Sequence, residues 1–286
     1  MVDLSMLDAV KAAAGEKPAA PPVAEVDGYE GVIEGKVFTP PRILAYGLDG
    51  IGKSTFACQS PKPMFIQTGK DLEQLGPRRF PLATSYEMVV TQLNTVIRNP
   101  KDRQTIVIDH LTGLEELIWK KLCNQYGKRT IGEIGGGFAK GEKAALTEWA
   151  EILGLLDKCV ERGLAVILTA HQGKEDAGNP EVPMLKVIGP SVDKHASLAI
   201  RKWVDATIYF TRRMIVSTVG QGIMEKPIAK AVGADGGERI MVCNGSPMLH
   251  AKNRYGLPTE LPLPKEGSFN TLMSYVAAHF SNEKKG

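Results

Sequence analysis

The sequence predicts an α/β protein: a mainly parallel, twisted β-sheet flanked by helices, with an antiparallel extension near the C-terminus. Two observations predict the parallel part. Short apolar runs rich in β-branched residues recur between residues 43 and 169, and helical patterns separate them. This alternation is typical of strand–helix–strand units. A third observation predicts the extension, because between residues 204 and 252 glycine-rich turns separate several short apolar runs.

Each element of this fold is predicted from a local pattern. Buried strands of the parallel sheet are predicted at 43–46, 64–67, 105–108 and 164–169. One helix begins at the capping box 84–87 and ends near Arg98, a second covers 114–126, and a third covers about 142–162 before Gly163. Antiparallel or mixed strands that extend the sheet are predicted at 207–210, 214–219, 240–242 and 248–249, and a closing helix at 269–280.

Composition also divides the chain into segments. Residues 1–27 are predicted to be a mobile N-terminal arm, in which a short amphipathic helix precedes an Ala/Pro-rich stretch. Residues 28–40 form a short β-hairpin lead-in, residues 41–265 the core, and residues 266–286 a C-terminal helix and tail. The arm either docks on a neighbouring protomer or is a disordered tail.

Overall composition narrows the class of protein. The chain has 286 residues, of which 43% are hydrophobic and 23% charged, so a sizeable core is expected and a wholly disordered chain is excluded. Its four cysteines are scattered without a CxxC pair, which argues against a zinc site or a disulfide framework. No apolar run approaches the roughly 18 residues of a membrane span, and acidic residues near the N-terminus disfavour a secretory leader. We therefore expect a soluble, cytoplasmic protein without a membrane partner.

The segment 47–54, GLDGIGKS, matches the phosphate-loop pattern GxxxxGK[ST] and follows the predicted strand 43–46. Glycines let backbone N–H groups turn toward phosphate oxygens, and a helix that begins near Lys53 adds the positive end of its dipole. Lys53 is predicted to reach the β- and γ-phosphates of ATP, and Ser54 to hold Mg²⁺. The alternative is an ordinary glycine turn before a helix. The predicted cofactor-binding residues are Gly47, Leu48, Asp49, Gly50, Ile51, Gly52, Lys53, Ser54 and Thr55.

Polar side chains follow two other predicted strands. Asp109 ends the run 105–109, TIVID, and a carboxylate at a strand end of an α/β sheet can take Mg²⁺ directly or through water. Alternatively, it is an acid that merely ends a strand. His171 and Gln172 follow the run 164–169, and either side chain can hydrogen-bond to a phosphate or to the attacking water. Their alternative role is a polar strand end that faces solvent.

The segment 252–256, KNRYG, places Lys252 and Arg254 two residues apart. On a strand such residues lie on one face, so the two cations can act on one anionic target. The element resembles the KNRFG element of the RadA recombination ATPases and the KxR strand of DnaB-type helicases. That resemblance implies that the basic pair reaches the ATP of a neighbouring subunit, where such a cation can contribute about 10³–10⁵ in rate. Alternatively, the two side chains are solvated on an edge strand.

Taken together, these motifs over about residues 40–280 resemble the phage-encoded RecA-like ATP-binding proteins of the single-strand-annealing group. The resemblance implies a RecA-like P-loop NTPase core and an Mg²⁺-dependent ATPase that single-stranded DNA stimulates. It also implies a homo-oligomer, ring or filament, that binds single-stranded DNA during recombination, with a single-strand-binding protein as a further candidate partner and the host cytoplasm as its location. In such ATPases a polar strand end senses the γ-phosphate. The implied catalytic residues are Lys53, Asp109, His171, Gln172, Lys252 and Arg254.

Two other functions stay open at this point. One is a helicase-like or DNA-repair motor, which would unwind duplex DNA. The other is a nucleotide-gated assembly scaffold that keeps the ATP site and does not bind DNA.

One departure from the family pattern affects catalysis. The second core strand of such ATPases typically ends in a glutamate that activates water, whereas here Gln67 and Thr68 are followed by Gly69 and Lys70. We expect tight ATP binding with slow turnover, because positioning and electrostatics dominate phosphoryl transfer. The candidate substitutes are Asp71 and Glu73 and, more remotely, Glu115 and Glu116.

Local charge has to provide any DNA contact, because the net charge is only +3. The glycine-rich loop 135–138 lies inside a basic stretch, 120–143, and suits a single strand, because cations follow the phosphates while Phe138 or Tyr126 stacks on bases. The alternatives are an ordinary mobile connection for this loop and a solvated helix face for the second basic stretch, 194–213. The predicted DNA-binding residues are Lys128, Arg129, Phe138, Lys140, Lys143, Lys174, Lys194, Arg201 and Lys202.

Overall fold

The computed structural model describes residues 37–70, 72–176, 186–219, 226–232 and 237–281. In these ranges the strands are β1 (Arg42–Gly47), β2 (Pro63–Gln67), β3 (Thr105–Asp109), β4 (Ala165–Asp176), β5 (Lys186–Pro190), β6 (Ala206–Arg212), β7 (Met214–Val219), β8 (Lys226–Ala231), β9 (Arg239–Val242), β10 (Lys252–Asn253) and β11 (Glu260–Pro262). The α-helices are α1 (Lys53–Cys58), α2 (Tyr86–Arg98), α3 (Leu111–Tyr126), α4 (Lys140–Ala144), α5 (Leu146–Glu161), α6 (Lys194–Trp203) and α7 (Ser268–Ser281). A 3-10 helix, Ile131–Gly136, precedes α4.

The central sheet has the strand order β11-β9-β6-β1-β4-β3-β2. The five strands from β6 to β2 are mutually parallel, whereas β9 and β11 add an antiparallel edge. This architecture confirms the predicted fold class, a mainly parallel α/β core with an antiparallel C-terminal extension. The parallel strands therefore end together at one edge of the sheet, which we call the carboxyl edge, and begin together at the opposite, amino edge.

Alternating side chains divide the core between the two faces of the sheet. Leu44 and Tyr46 of β1 pack in a cluster with α2, α3, α5 and α6, whereas Ile43 and Ala45 pack in a second cluster with α1 and α7. This is the period of two that an extended chain imposes. On β3 and β4, Val107 and Ile167 belong to the second cluster. Side chains two residues further along these strands therefore point toward α1.

Several boundaries differ from the sequence prediction. The N-cap of α2 is Ser85, whose side chain accepts a hydrogen bond from the Met88 N–H, and not Thr84. The predicted helix 142–162 is two helices, α4 and α5, which meet at Ala145. The segment 173–190, whose polar sequence is typical of a loop, contains the end of β4 and all of β5, which pair antiparallel. A longer β4 results, because its register with β5 continues to Asp176.

The C-terminal strands also differ from the prediction. The run 207–210 lies in β6 and is parallel to β1. The run 214–219 is β7, which pairs with β8 in a separate two-stranded sheet and does not extend the main one. The run 248–249 belongs to no strand, because Leu249 makes only isolated bridges. Short apolar runs separated by glycines do not by themselves fix a strand partner.

The predicted arm and most of the predicted hairpin lie outside the described residues, as does Asp71. Val37 and Phe38, which are described, belong to no strand. Among the described residues, no helix combines the length and the apolar character that a membrane crossing requires.

Candidate nucleotide-binding site

The phosphate loop connects β1 to α1 at the carboxyl edge. Gly50 and Gly52 have φ values of 69° and 115°, a backbone region that favours glycine. Gly47 is required for a different reason, because a Cβ atom there would lie 2.3 Å from the Phe210 carbonyl oxygen of β6. The glycines therefore permit both the close packing of the loop against β6 and the tight turn of the loop backbone.

Lys53 begins α1 and is buried, with 7% of its surface exposed. Its Nζ donates to the carbonyl oxygens of Gly47 and Leu48 at 3.0 and 2.8 Å. The ammonium group thus lies within the loop, where a triphosphate could replace these carbonyls as its acceptor. Burial makes such an exchange favourable, since a charge removed from water needs a strong partner.

Asp109 and Ser54 form the second part of the site. The Ser54 hydroxyl lies 3.2 and 3.0 Å from the two carboxylate oxygens of Asp109, which is 4% exposed. The hydroxyl of Thr169, on β4, also donates to this carboxylate. Asp109 lies two residues after Val107, and Thr169 lies two residues after Ile167, and both Val107 and Ile167 face α1. Strand alternation therefore places Asp109 and Thr169 on the same face of the sheet, where they meet. Two protein oxygens are a normal complement for Mg²⁺ in a nucleotide site, where phosphates and water supply the other ligands.

A cavity of about 580 Å³ opens in front of these groups. This volume is in the usual range for a small-molecule site. Its lining combines phosphate-loop residues with both predicted magnesium ligands: Asp49, Gly50, Gly52, Lys53, Ser54, Thr55, Leu75, Asp109, His110 and His171. Among the described residues, no group of three His, Cys, Asp or Glu side chains could hold a metal ion by itself. The hydroxyl oxygen of Ser54 and the carboxylate oxygens of Asp109 are the donor types that fit Mg²⁺ bound together with a nucleotide.

The structure separates the two candidates at the end of β4. His171 lines the cavity, and its Nδ1 forms a hydrogen bond with Oδ1 of Asp49 in the phosphate loop. Gln172 points to the other face, where its Oε1 accepts from the Tyr209 hydroxyl at 2.8 Å. Successive side chains of a strand alternate, so the two residues could not both reach the cavity. A γ-phosphate sensor at this position would be His171.

Three of the four acidic residues considered as substitutes for the missing glutamate are described, and none of these three lines the nucleotide cavity. Glu73 is exposed and is not among the cavity-lining residues. Glu115 is buried on α3, where its Oε1 accepts from the Asp193 N–H at 2.8 Å. Burial raises the pKa of Glu115 to about 7, although this N–H favours the ionised form. Glu116 is exposed and, with Glu115, lines a different cavity that also includes Trp119.

Lys252 lies at the opposite end of the sheet. Lys252 pairs with Thr207, near the start of β6. Gly47, the first residue of the phosphate loop, pairs with Phe210, near the end of the same strand. The Lys252 ammonium donates to three carbonyl oxygens at the C-terminal end of α6, those of Arg201, Lys202 and Val204, at 2.9, 2.9 and 2.6 Å. Burial lowers its pKa, and the nearby Arg254 cation adds to the effect.

Arg254 follows β10 and is less constrained. Its Nη1 donates to Oδ1 of Asp205 at 3.1 Å, and 52% of its side chain is exposed. Asp205 also binds Arg42, whose Nη2 lies 2.9 Å from the same oxygen. Burial opposes ionisation of Asp205, but the hydrogen bonds from Arg42 and Arg254 outweigh it and lower the pKa. Arg254 can therefore leave Asp205 without leaving that carboxylate unpaired.

The predicted DNA-binding residues are mostly exposed. Phe138 is 91% exposed, and it and Ala139 have positive φ values directly after three glycines, 135–137, that also do. Arg201 is the exception, because its guanidinium lies 3.7 Å from Glu175 and its Nε donates to Ser197. Burial lowers the pKa of Arg201, against the attraction of Glu175. The exposed members are Lys128, Arg129, Phe138, Lys140, Lys143, Lys174, Lys194 and Lys202.

Three residues of the site were not predicted from the sequence. Thr169 could have been predicted, because it lies two residues before His171 on the same strand and therefore on the same face of the sheet. His110 caps α3 by accepting from the Gly113 N–H at 3.1 Å and packs edge-to-face on His171, with ring centroids 4.3 Å apart. Arg239, on β9, donates to the Ile51 carbonyl oxygen of the phosphate loop at 3.3 Å. No sequence motif identifies Arg239, because the packing of the antiparallel strand β9 against β6 brings it to the phosphate loop.

The fold and the site define a P-loop nucleoside triphosphatase. A family model described as an AAA domain matches residues 39–255, and the chain belongs to that family. Among solved structures, the crystal structure of the RadB recombinase is similar, with a TM-score of 0.46 and 12% sequence identity. The similarity covers 80% of this chain and 90% of that one. No curated protein matches the chain.

Proposed function

We propose that this chain is a RecA-like ATPase that binds single-stranded DNA during recombination or annealing and forms a homo-oligomer with Mg²⁺-ATP at its subunit interfaces. The observation that carries the proposal is the separation of two half-sites. The phosphate loop, Ser54 and Asp109 lie at the carboxyl edge of the sheet, whereas Arg254 lies at the amino edge. A cation at the amino edge can meet a nucleotide only if that nucleotide belongs to another protomer.

Each residue of the proposed site has a separate task. Lys53 and the amides of the phosphate loop bind the triphosphate, and Ser54 and Asp109 hold Mg²⁺, which neutralises phosphate charge when it is bound. Thr169 keeps the Asp109 carboxylate in place. Arg254 of the neighbouring protomer completes the pocket. Because β2 does not end in a glutamate, we propose tight ATP binding and slow turnover.

The exposed cations and Phe138 support the DNA-binding part of the proposal. Phe138 stands outside the packed core in the short loop between the 3-10 helix Ile131–Gly136 and α4, with basic residues on both sides. Such a loop can place a ring against a base while lysines contact the phosphates. Replacing Phe138 by alanine should weaken binding of a labelled oligonucleotide by about 1–3 kcal/mol. The affinity of wild type should fall steeply as salt rises.

The decisive experiment measures ATP hydrolysis with and without single-stranded DNA in Lys53→Ala, Arg254→Ala and their equimolar mixture. Each variant alone should be inactive. The mixture should regain activity, because an interface between a Lys53→Ala protomer and an Arg254→Ala protomer can combine the intact loop of one with the intact arginine of the other. Arg162→Ala, which removes an exposed arginine at the end of α5, is the matched control and should behave like wild type.

Measurements of duplex unwinding, DNA binding and assembly on the same proteins separate the competing functions. ATP-driven unwinding of a duplex would favour the motor. ATP-dependent assembly without salt-sensitive DNA binding would favour the scaffold. If the mixture stays inactive although both variants assemble, the shared-site arrangement is wrong.

A further inference from the structure

We propose that His171 is the general base of ATP hydrolysis in this chain, and that Asp49 is its positioning residue. The inference rests on the proposed function, hydrolysis of ATP at the phosphate loop. It supplies a proton acceptor at a site where the end of β2 provides no glutamate.

The hydrogen bond between the two side chains selects the tautomer of a neutral imidazole. Oδ1 of Asp49 pairs with Nδ1 of His171. An ionised carboxylate can only accept, so Nδ1 carries the proton. In the neutral ring the lone pair is then on Nε2, which has no hydrogen-bond partner among the described residues. This is the arrangement that a histidine base requires: one nitrogen oriented by a carboxylate and the other open to the substrate water.

Packing also restricts the ring. His110, in the turn between β3 and α3, lies edge-to-face against His171, and its own ring is held by the Gly113 N–H. The side chain of His171 is 30% exposed and lines the same cavity as Lys53 and Ser54. Because Asp49 belongs to the phosphate loop, the Asp49 contact holds the imidazole at the part of the cavity where the proposed function places the phosphates.

The charged and titratable groups around His171 come from three elements. Asp49 and Lys53 belong to the phosphate loop and the start of α1, Asp109 ends β3, and His110 follows it. Of these groups, Asp49 is the one in direct hydrogen-bond contact with the imidazole.

The proposed step conserves atoms and charge. The oxygen of a water molecule attacks the γ-phosphorus and forms a new P–O bond while the bond from this phosphorus to the β,γ-bridging oxygen breaks. The electron pair of the broken bond stays on the oxygen of the departing ADP. The proton lost by the water goes to Nε2 of His171 and is later released to solvent.

The test compares full-length His171→Gln and Asp49→Asn with wild type, and uses His195→Gln as the matched control. His195 lies in the first turn of α6 and is not a cavity residue. We expect the kcat of His171→Gln to fall by about 10²–10⁴-fold. Its affinity for a non-hydrolysable ATP analogue should stay within about twofold of wild type, because the proton transfer belongs to the transition state. His195→Gln should keep both values.

Two further readouts distinguish a base from a structural residue. The kcat of wild type should decline at acidic pH, where a protonated imidazole cannot accept, and this decline should be absent from the residual activity of His171→Gln. In nucleotide-free protein labelled with ¹⁵N-histidine, Asp49→Asn should change the ring-nitrogen shifts of His171, since the carboxylate no longer fixes the proton on Nδ1. If His171→Gln fails to fold by circular dichroism, the pH profile and spectrum of Asp49→Asn provide the test.

Asp71→Asn completes the set, since this acid is the remaining substitute proposed from the sequence. Wild-type turnover in His171→Gln would overturn the inference and leave the proposed function intact. Loss of turnover and of the acid-side decline in Asp71→Asn alone would also overturn it. If wild type binds no ATP analogue, the inference and the proposed function both fail.

Discussion

The two edges of the central sheet present polar groups in different ways. At the carboxyl edge, Asp109 already accepts hydrogen bonds from the hydroxyl groups of Ser54 and Thr169, next to an open cavity. At the amino edge, Lys252 and Arg254 bind carbonyl and carboxylate groups of their own chain. Under the proposed function, the carboxyl edge is a preorganised binding half-site, and the cation of the amino edge has to leave its own chain before it can act on a neighbour.

The two cations of the amino edge differ in how easily they can be released. Three carbonyl oxygens would lose their donor if Lys252 left, whereas Asp205 keeps Arg42 if Arg254 leaves. The hydrogen bonds to Arg201 and Val204 are partly buried, and leaving such carbonyl groups unpaired is costly, whereas a half-exposed ion pair contributes little. We therefore expect Arg254 to be the mobile cation and Lys252 to stabilise the fold.

Arg254→Ala tests this comparison with the largest expected effect. An arginine supplied to a neighbour's transferring phosphoryl group contributes about 10³–10⁵ in rate, so kcat of the assembled protein should fall by at least about 10³-fold. The melting temperature should change little, because Arg42 continues to neutralise Asp205. Steady-state hydrolysis and thermal unfolding measure the two quantities, with Arg162→Ala as control. Undiminished turnover would mean that the amino edge takes no part in catalysis.

Lys53→Ala has the next largest effect and acts on the other edge. Removing one preorganised donor from a phosphate site costs about 10²–10³ in rate. Unlike Arg254→Ala, this variant should also lose affinity for ATP when it is a dilute monomer, since Lys53 lies within the binding loop. Titration with a fluorescent ATP analogue measures that difference. Equal loss of monomer affinity in both variants would contradict the division between the two edges.

Glu115 provides a pH-dependent test near the carboxyl edge. Burial raises the pKa of this carboxyl from 4.5 to about 7, so the folded state holds the proton more tightly than the unfolded state does. The stability gained is fully present below pH 4.5 and is lost as pH rises through about 7. Wild type should therefore lose about 2–3 kcal/mol relative to Glu115→Gln between these limits.

Urea unfolding at pH 4.5 and at pH 8 measures this loss. The ATPase pH profile of Glu115→Gln should match that of wild type, because Glu115 faces Asp193 and not the nucleotide cavity. A changed ATPase profile would make Glu115 a candidate base and weaken the role proposed for His171.

The sequence predicted the carboxyl edge better than the amino edge, for a physical reason. The phosphate loop is one continuous segment, and Asp109 and His171 follow apolar strands whose parallel alignment is itself predictable. Strand alternation would also have found Thr169 and excluded Gln172. By contrast, the partners of Lys252 are backbone carbonyls about 50 residues away in sequence, and Arg239 meets the loop across antiparallel strands. Contacts between distant backbone segments leave no local pattern.

Lys252→Ala gives the smallest expected effect and completes the comparison of the two cations. Its ammonium is the donor for three carbonyl groups at the C-terminal end of α6, where a positive charge also favours the helix dipole. Leaving these groups without a donor should cost about 1–3 kcal/mol and lower the melting temperature by roughly 5 °C. Lys202→Ala, which removes an exposed lysine from the same helix, should leave the melting temperature unchanged. If Lys252→Ala instead abolishes hydrolysis without loss of stability, both cations act on the neighbouring nucleotide, and the proposed difference between them is wrong.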